Sequence, residues 1–368
     1  MKKMFFMAAI AGVALASCAK NEVETPEQDI ITFAEPVTAV QTKATEITAN
    51  YPMNKHFSVF AYYYEGDYTK FEDGKLYMND VETAYSSDVH GWDPAKVSGV
   101  NYYWPKQGTL TFAAYSPSTV AATHDKAGLH FEGFTVPAKA EEQYDLLFSE
   151  RSYNQTNATM NDHTNHYKGV EITFNHALSS IIFKAKTDIN YNKDNFYITV
   201  KEVTVKHISS TADFCQGLND EEEILETANT EACWSDWSSE IDYTAYAGEY
   251  TLKDGEYALV PGITPGVMSN DTDIQNSHLI LIPQSLADAK LYVKYTIYNK
   301  NVNPVAAIDQ TAELDLATTK VATWLRGKRY TYNITIGLDK IYFDPVVNEW
   351  VNVDGGSFTV GNAGEKTN

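Results

Sequence analysis

Two groups of residues have the types and spacing for chemistry: a cysteine behind an apolar leader, and a small histidine cluster. Cys18 ends the run LASC, which follows two lysines and the apolar stretch from Phe5 to Leu15. Bacteria acylate a cysteine in this position and cleave before it, and acyl chains hold a protein on a membrane at about 0.8 kcal/mol per buried CH₂. The sequence predicts a signal peptide over residues 1–17 and a lipid on Cys18. An ordinary signal peptide with an incidental cysteine is the alternative.

The second group is NDHTNH, in which Asp162, His163 and His166 have metal-like spacing. No third histidine lies nearby in the sequence, and the surrounding residues are polar, so a solvated loop is favoured over a metal site. The chain has no GxSxG, HExxH, phosphate-loop or CxxC motif. We therefore expect no catalytic residues, no metal and no cofactor. Carboxylates are plentiful, but no pair is singled out for glycoside hydrolysis.

Two further cysteines, Cys215 and Cys233, follow in the second half of the chain. An exported compartment permits a disulfide between them. Such a bond would close a loop of about 18 residues and stabilise the fold by about 3 kcal/mol. Two separate buried thiols are the alternative, and the sequence does not distinguish the two.

Charge and length limit the class of protein. The chain has 368 residues, with 49 acidic and 28 basic side chains and a formal net charge of −21. A chain this acidic repels a phosphate backbone, so nucleic acid is not expected as a partner. The length suits about two domains. After the leader, no apolar run is long enough to cross a membrane.

Alternating apolar and polar residues predict an all-β fold. In RYTYNITIGL, Tyr330, Tyr332, Ile334 and Ile336 fall on one face of a strand, which is the pattern of a half-buried antiparallel strand. Similar runs are separated by Asp-Gly and Pro-Gly turns, an arrangement typical of β-sandwiches. The acidic run at 220–229 is interpreted as either a short helix or a loop.

A polar stretch from Ser152 to Gly169 divides the chain. We predict an N-terminal domain over residues 44–152, a linker over 153–168 and a C-terminal domain over 169–350. Residues 351–368 form a tail that alternates weakly and then turns polar.

Some aromatic and histidine residues have two interpretations each. The groups Tyr62–Tyr64 and Tyr102–Trp104 could stack on sugar rings, but core and rim positions of a sandwich are favoured. His176 lies within the apolar run FNHALSSIIF, and a hydrogen-bonded structural role is favoured over a ligand role.

Several segments, in this order behind a lipobox, resemble the fimbrillin-like lipoproteins of Bacteroidales: FAEPVTAVQTKAT, NYYWPKQGTLTFAAYSP, QYDLLFSE, FNHALSSIIFKAK, LILIPQSL and WLRGKRYTYNITIGLDKIYFDPVVNEW. The resemblance implies two tandem antiparallel β-sandwich domains, the second transthyretin-like. It also implies export as a lipoprotein to the outer membrane and exposure at the cell surface. Stalk members are cut after a basic residue beyond the first strand, and a strand from a neighbouring subunit then fills the opened groove in the growing fimbrium.

The N-terminal residues fit this scheme. A first strand is predicted with one apolar face and with Thr32 and Thr38 on the other; the apolar face comprises Ile31, Phe33, Val37 and Ala39. Lys43 is the first basic residue after this strand, so cleavage between Lys43 and Ala44 would release the lipid-bearing segment 18–43. The family pattern has arginine at the cut, whereas this chain has lysine.

The C-terminal tail is the expected donor, although Gly355 and Gly356 interrupt its alternation. Its candidate donor residues are Val351, Val353, Phe358 and Val360. Expected partners are other pilus subunits by strand addition, the outer membrane through the lipid, and a host protein or glycan. The alternative function is a surface glycan-binding lipoprotein that keeps its anchor and does not polymerise. Among pilus subunits, stalk, tip and anchor roles stay open.

Overall fold

The computed structural model describes residues 30–38, 49–159, 169–218, 233–252, 254–255, 258–259 and 278–350. Over these ranges strands predominate, so the all-β class is confirmed. The described helical structure is short: α1 (Ala95–Ser98) and the 3₁₀ turns Phe71–Asp73, Ala140–Glu142 and Asn157–Thr159.

The strands in the first part of the chain vary from two to twelve residues. They are β1 (Val37–Thr38), β2 (Ala49–Asn50), β3 (Phe57–Tyr64), β4 (Lys75–Ser86), β5 (Gly91–Asp93), β6 (Thr109–Ser116), β7 (Thr123–Asp125), β8 (Gly128–Thr135), β9 (Leu147–Ser149), β10 (Ser152–Gln155) and β11 (Thr173–His176).

The later strands include the two longest in the described structure. They are β12 (Ser179–Thr187), β13 (Phe196–Cys215), β14 (Trp234–Thr251), β15 (Ala258–Leu259), β16 (His278–Leu281), β17 (Lys290–Asn299), β18 (Ala306–Asp315), β19 (Lys328–Ile336) and β20 (Ile341–Glu349).

These strands form three sheets. The first has the order β2-β1-β11-β9-β6-β3-β4-β5, with β10 paired to β6. The second has the order β15-β12-β19-β20, with β16 paired to β12, and the third has the order β18-β17-β13-β8-β7, with β14 paired to β13. Among the described strands, pairing is antiparallel except for β1 with β11 and β12 with β19. Both parallel pairs join strands that are far apart in the chain, as parallel pairing requires.

Strand β19 has the predicted apolar face, but Thr331 and Thr335 on its other face are buried as well, so the strand is not half-buried as predicted. Tyr330, Tyr332, Ile334 and Ile336 are all buried, so the predicted apolar face is confirmed. The strand lies between β12 and β20 in the second sheet. The transthyretin-like topology implied for this part of the chain stays a prediction.

The 20-residue strand β13 connects the two parts of the chain. Its first half pairs with β17, and its second half pairs with β8, where Thr211 lies opposite Thr135 and Phe214 lies opposite Phe131. Strand β8 precedes the polar stretch 153–168 and β13 follows it. The third sheet therefore contains strands from both sides of the predicted linker.

Buried side chains form two cores. The first core is aromatic-rich and includes Phe33, Phe57, Trp92 and Phe112. The second core joins residues of β8 and β9 to those of the later strands. It therefore spans both parts of the chain, as the third sheet does.

Candidate functional site

The residues from Ile30 to Thr38, named here the first segment, lie between two strand edges of the first sheet. On one side, the Ile31 amide donates to the Tyr102 carbonyl at 2.8 Å. Two residues on, Phe33 and Trp92 exchange both backbone hydrogen bonds, each at 2.9 Å. The first segment therefore pairs with β5 and with the stretch that follows α1.

The opposite side of the first segment pairs with the stretch that leads into β11. The Ala34 amide donates to the Val170 carbonyl at 3.0 Å, and the Val170 amide donates to the Thr32 carbonyl at 2.9 Å. Further on, the Val37 amide donates to the Ile172 carbonyl at 3.1 Å. The first segment thus joins β5, at one end of the sheet order, to β11, and the two edges that it covers are named here the strand slot.

Both faces of the first segment are covered. Ile31 and Phe33 are buried, as expected for the predicted apolar face. Thr32 and Thr38, assigned to the other face, are also buried, whereas Val37 is only half-buried. Simple alternation therefore does not separate a core face from a solvent face here.

Phe33 lies at the centre of the first core, with none of its surface exposed. Its ring meets the rings of Phe57 and Phe112 edge-to-face, with centroids 5.6 Å away in both cases. Such aromatic pairs contribute about 0.5–1.5 kcal/mol beyond the burial of area. Phe33 therefore anchors the first segment in the first core.

The last described residue, Trp350, lies against the other end of β11. Its amide donates to the Gly327 carbonyl at 2.9 Å, and its ring stacks on His176 with centroids 4.1 Å away. His176 is hydrogen-bonded through Nδ1 to the Asp145 carboxylate at 2.7 Å, which confirms the predicted hydrogen-bonded role. The C-terminal tail therefore starts from a buried, fixed position.

The sequence matches a known protein family over most of its length. The profile described as fimbrillin-like matches residues 42–350. The chain belongs to the fimbrillin-like family. Membership of this family supports a role as a pilus subunit at the cell surface. No curated protein matches the sequence of this fimbrillin-like chain.

One solved structure shows the same fold, and two others are similar over most of the chain with lower TM-scores. The crystal structure of a fimbrial protein from Bacteroides vulgatus ATCC 8482 is 19% identical to this fimbrillin-like chain, covers 88% of it and 99% of its own length, and has a TM-score of 0.57. A proposed cell adhesion protein from Bacteroides uniformis ATCC 8492 is 15% identical, with 86% and 98% covered and a TM-score of 0.42. Another, from Bacteroides ovatus ATCC 8483, is 12% identical, with 89% and 99% covered and a TM-score of 0.46.

Several predicted site residues of the fimbrillin-like chain lie outside the described residues. These are the lipidation residue, one residue of the first strand, the processing pair, the donor residues and the histidine cluster: Cys18, Ala39, Lys43, Ala44, Val351, Val353, Phe358, Val360, Asp162, His163 and His166. The acidic run at 220–229 also lies outside.

Cys215 and Cys233 are not joined by a disulfide in the structure. Cys215 is half-buried, and Cys233 is buried with its Sγ donating to the Gln216 carbonyl at 3.6 Å. Burial raises the pKa of both thiols. Both side chains are thiols here, with only Cys233 fully buried, and a disulfide formed on export stays a prediction.

The aromatic groups considered for sugar binding are mostly engaged within the fold. Trp104 and Tyr64 are buried, and Tyr103 is the member whose ring is exposed. The Tyr62 hydroxyl donates to the His124 carbonyl at 3.1 Å, and the two rings are in contact. These groups therefore do not form a shared exposed platform.

Across the described residues, no cluster of three or more His, Cys, Asp or Glu side chains is placed to hold a metal ion. The same residues contain no helix that is long and apolar enough to span a membrane.

His124 gives the protein a predicted acid sensitivity. Its imidazole stacks on Phe60 at 5.6 Å and accepts from Arg151 Nε at 3.4 Å. Burial, and then the charge of Arg151, lower the pKa of His124 to about 3. The folded protein therefore holds this ring neutral at pH values where an unfolded chain protonates it.

Because the unfolded state binds the proton more strongly, the stability linked to His124 is complete above about pH 6.5 and falls as the pH decreases. We expect a loss of about 1–2 kcal/mol between pH 7 and pH 5. Denaturant unfolding at both pH values should show a smaller loss in His124→Gln than in the wild type. His207→Gln, at an exposed histidine, is the control. An equal pH dependence in all three proteins would contradict this prediction.

Proposed function

We propose that this protein is a structural subunit of a surface pilus, assembled by donor-strand exchange after proteolysis, and that it contributes to cell adhesion. The subunit is exported as a lipoprotein, with Cys18 acylated and held in the outer membrane. Cleavage between Lys43 and Ala44 then removes the anchor together with the first segment. The protein acts as a building unit and not as an enzyme.

The observation that carries this proposal is the position of the first segment. It is hydrogen-bonded on both sides and buried on both faces, yet it precedes Lys43 in the chain. A single cut in the stretch between β1 and β2 would therefore separate the lipid and a complete element of the first core from the rest of the molecule.

Loss of the first segment would leave the first core incomplete, so that another strand would be needed in its place. Burial of a large apolar side chain is worth about 1.5–3 kcal/mol, and Ile31 and Phe33 are both fully buried here. Their combined loss approaches the lower end of the usual stability of a whole domain, about 5–15 kcal/mol. The vacated strand slot would also expose two unpaired strand edges, which favour addition of a strand from another chain.

The C-terminal tail of another subunit supplies the replacing strand. It begins at Trp350, which is fixed on His176, and continues beyond the described residues. Val351, Val353, Phe358 and Val360 provide apolar side chains that an added strand needs. A tail attached at a fixed point on one subunit can enter the strand slot of the next, so that subunits join head to tail.

The proposal is tested by the N-terminal sequence and the apparent size of protein shed from the native bacterium. We expect an N-terminus at Ala44, and a ladder of high-mass species on a gel run without boiling, since strand-exchanged polymers resist mild detergent. Boiling should collapse the ladder to one band. A lipidated Cys18 on a protein found only as monomer would contradict strand exchange and would leave the glycan-binding alternative.

A further inference from the structure

The strand slot leaves no room for a side chain at Gly169. A Cβ atom on this residue would lie 2.5 Å from the Phe33 carbonyl carbon, 2.6 Å from the Ala34 nitrogen and 2.7 Å from the Thr32 oxygen. All three contacts are with backbone, which cannot turn aside as a flexible side chain can. Any strand in the slot must therefore pass against the bare backbone of Gly169.

The side-chain positions at this constriction differ sharply in size. Successive side chains of a strand point to opposite faces, so Phe33 enters the first core while Thr32 and Ala34 face the other way. Thr32 and Ala34 are both buried, with 5% and 4% of their surface exposed. The slot therefore holds a large aromatic residue between two small ones.

We propose that the strand slot is a sequence-selective peptide site that binds a small–aromatic–small triplet in a single register, with Gly169 as the specificity-determining residue. The occupant after processing is the triplet Ser357-Phe358-Thr359 from the tail of a second copy. This inference rests on the proposed function, because the tail enters only once the first segment has left.

The tail offers one register that meets these requirements. Phe358 is the single aromatic residue in the segment 351–368, and its neighbours are small. A shift by one residue would turn the phenylalanine to the other face of the sheet, where the slot accepts only small side chains. An extended chain from Trp350 to Phe358 spans about 26 Å. This length sets the greatest separation between Trp350 of one subunit and the position that Phe33 vacates in the strand slot of the next.

Selectivity of the slot is tested first within the intact chain, where the first segment is the occupant. In the exchange variant Thr32→Phe/Phe33→Thr, composition is unchanged but the aromatic side chain faces the wrong side. We expect its melting temperature to fall by roughly 10 °C. Gly169→Ala should lower it by several degrees, and Gly66→Ala, where a Cβ would have no neighbour within 4 Å, should leave it unchanged.

The occupant is tested by polymer formation in the native bacterium. The tail exchange Phe358→Thr/Thr359→Phe should reduce the high-mass ladder by more than about tenfold, because each 1.4 kcal/mol of lost binding is tenfold in affinity. Asn368→Ala, ten residues beyond Phe358, should leave the ladder intact. The N-terminus should remain at Ala44 in both variants, which separates a binding defect from a processing defect.

The two experiments test separate parts of the proposal. A wild-type melting temperature for the Thr32→Phe/Phe33→Thr chain would overturn the selectivity of the slot, whether or not pili form. A normal ladder from the tail exchange would overturn Phe358 as the register residue and leave strand exchange standing. Absence of any ladder in the wild type would overturn the proposed function, while the melting data would still decide the selectivity.

Discussion

Replacement of Phe33 by alanine lowers the free energy of unfolding by about 3–5 kcal/mol, the usual range for a buried Phe→Ala change. The ring is completely buried against Phe57 and Phe112, so its removal leaves a cavity lined by aromatic side chains that cannot collapse easily. Equilibrium unfolding of the uncleaved chain in urea, followed by tryptophan fluorescence, measures the change. Trp92 belongs to the same core and reports on it directly.

The matched control for this substitution is Val37→Ala. Val37 lies in the same segment, but it is half-buried and its side chain is smaller. We expect it to cost no more than about 1 kcal/mol. A cost below about 1 kcal/mol for Phe33→Ala would show that the first segment contributes little to the fold. Its removal would then not drive the capture of another strand.

We expect replacement of Lys43 by alanine to abolish the proposed maturation. Proteases of trypsin-like specificity require a basic residue before the cleaved bond, and Lys43 is the first basic residue after the first segment. We expect the variant to remain a lipid-anchored monomer that retains the first segment, with loss of the high-mass ladder. Mass spectrometry of the N-terminus, together with a gel run without boiling, measures both effects.

Two further variants sharpen this test. Lys43→Arg keeps the positive charge and should restore processing. Lys20→Ala removes the other lysine of the segment 18–43 and should have no effect on the position of the cut. Normal polymers from Lys43→Ala would place the cleavage elsewhere. The stretch between the first segment and Phe57 contains one other basic residue, Lys55, which would then be the next to replace.

The sequence predicts some elements of this fold well. The apolar face of β19 was predicted because its apolar residues alternate in the sequence, whereas burial of Thr331 and Thr335 on the other face was not. The apolar side chains of the first segment were also predicted, since Ile31 and Phe33 stand two residues apart. Burial of Thr32 was not, because the backbone that lies beside it, at Gly169, is more than a hundred residues away in the chain.

The pairing of β8 with β13 had no visible signal in the sequence. It joins residues 76 or more positions apart across a polar stretch that otherwise resembles a linker between independent domains. A polar composition predicts a domain boundary, but it does not predict which strands on either side of the stretch pair with each other. The stacking of Trp350 on His176 is likewise a long-range contact, and neither residue alone indicates it.

The long strand β13 has a mechanical consequence for a filament. Within a subunit, β8 and β13 can separate only if their ladder and the common second core break together, which makes the failure cooperative. In the proposed polymer, the load between subunits would be borne by one exchanged strand and the strand slot that holds it. Under tension, we therefore expect such a pilus to extend at the contacts between subunits while each subunit stays folded. The force at which the pilus breaks should depend on how well the donated strand fits the strand slot.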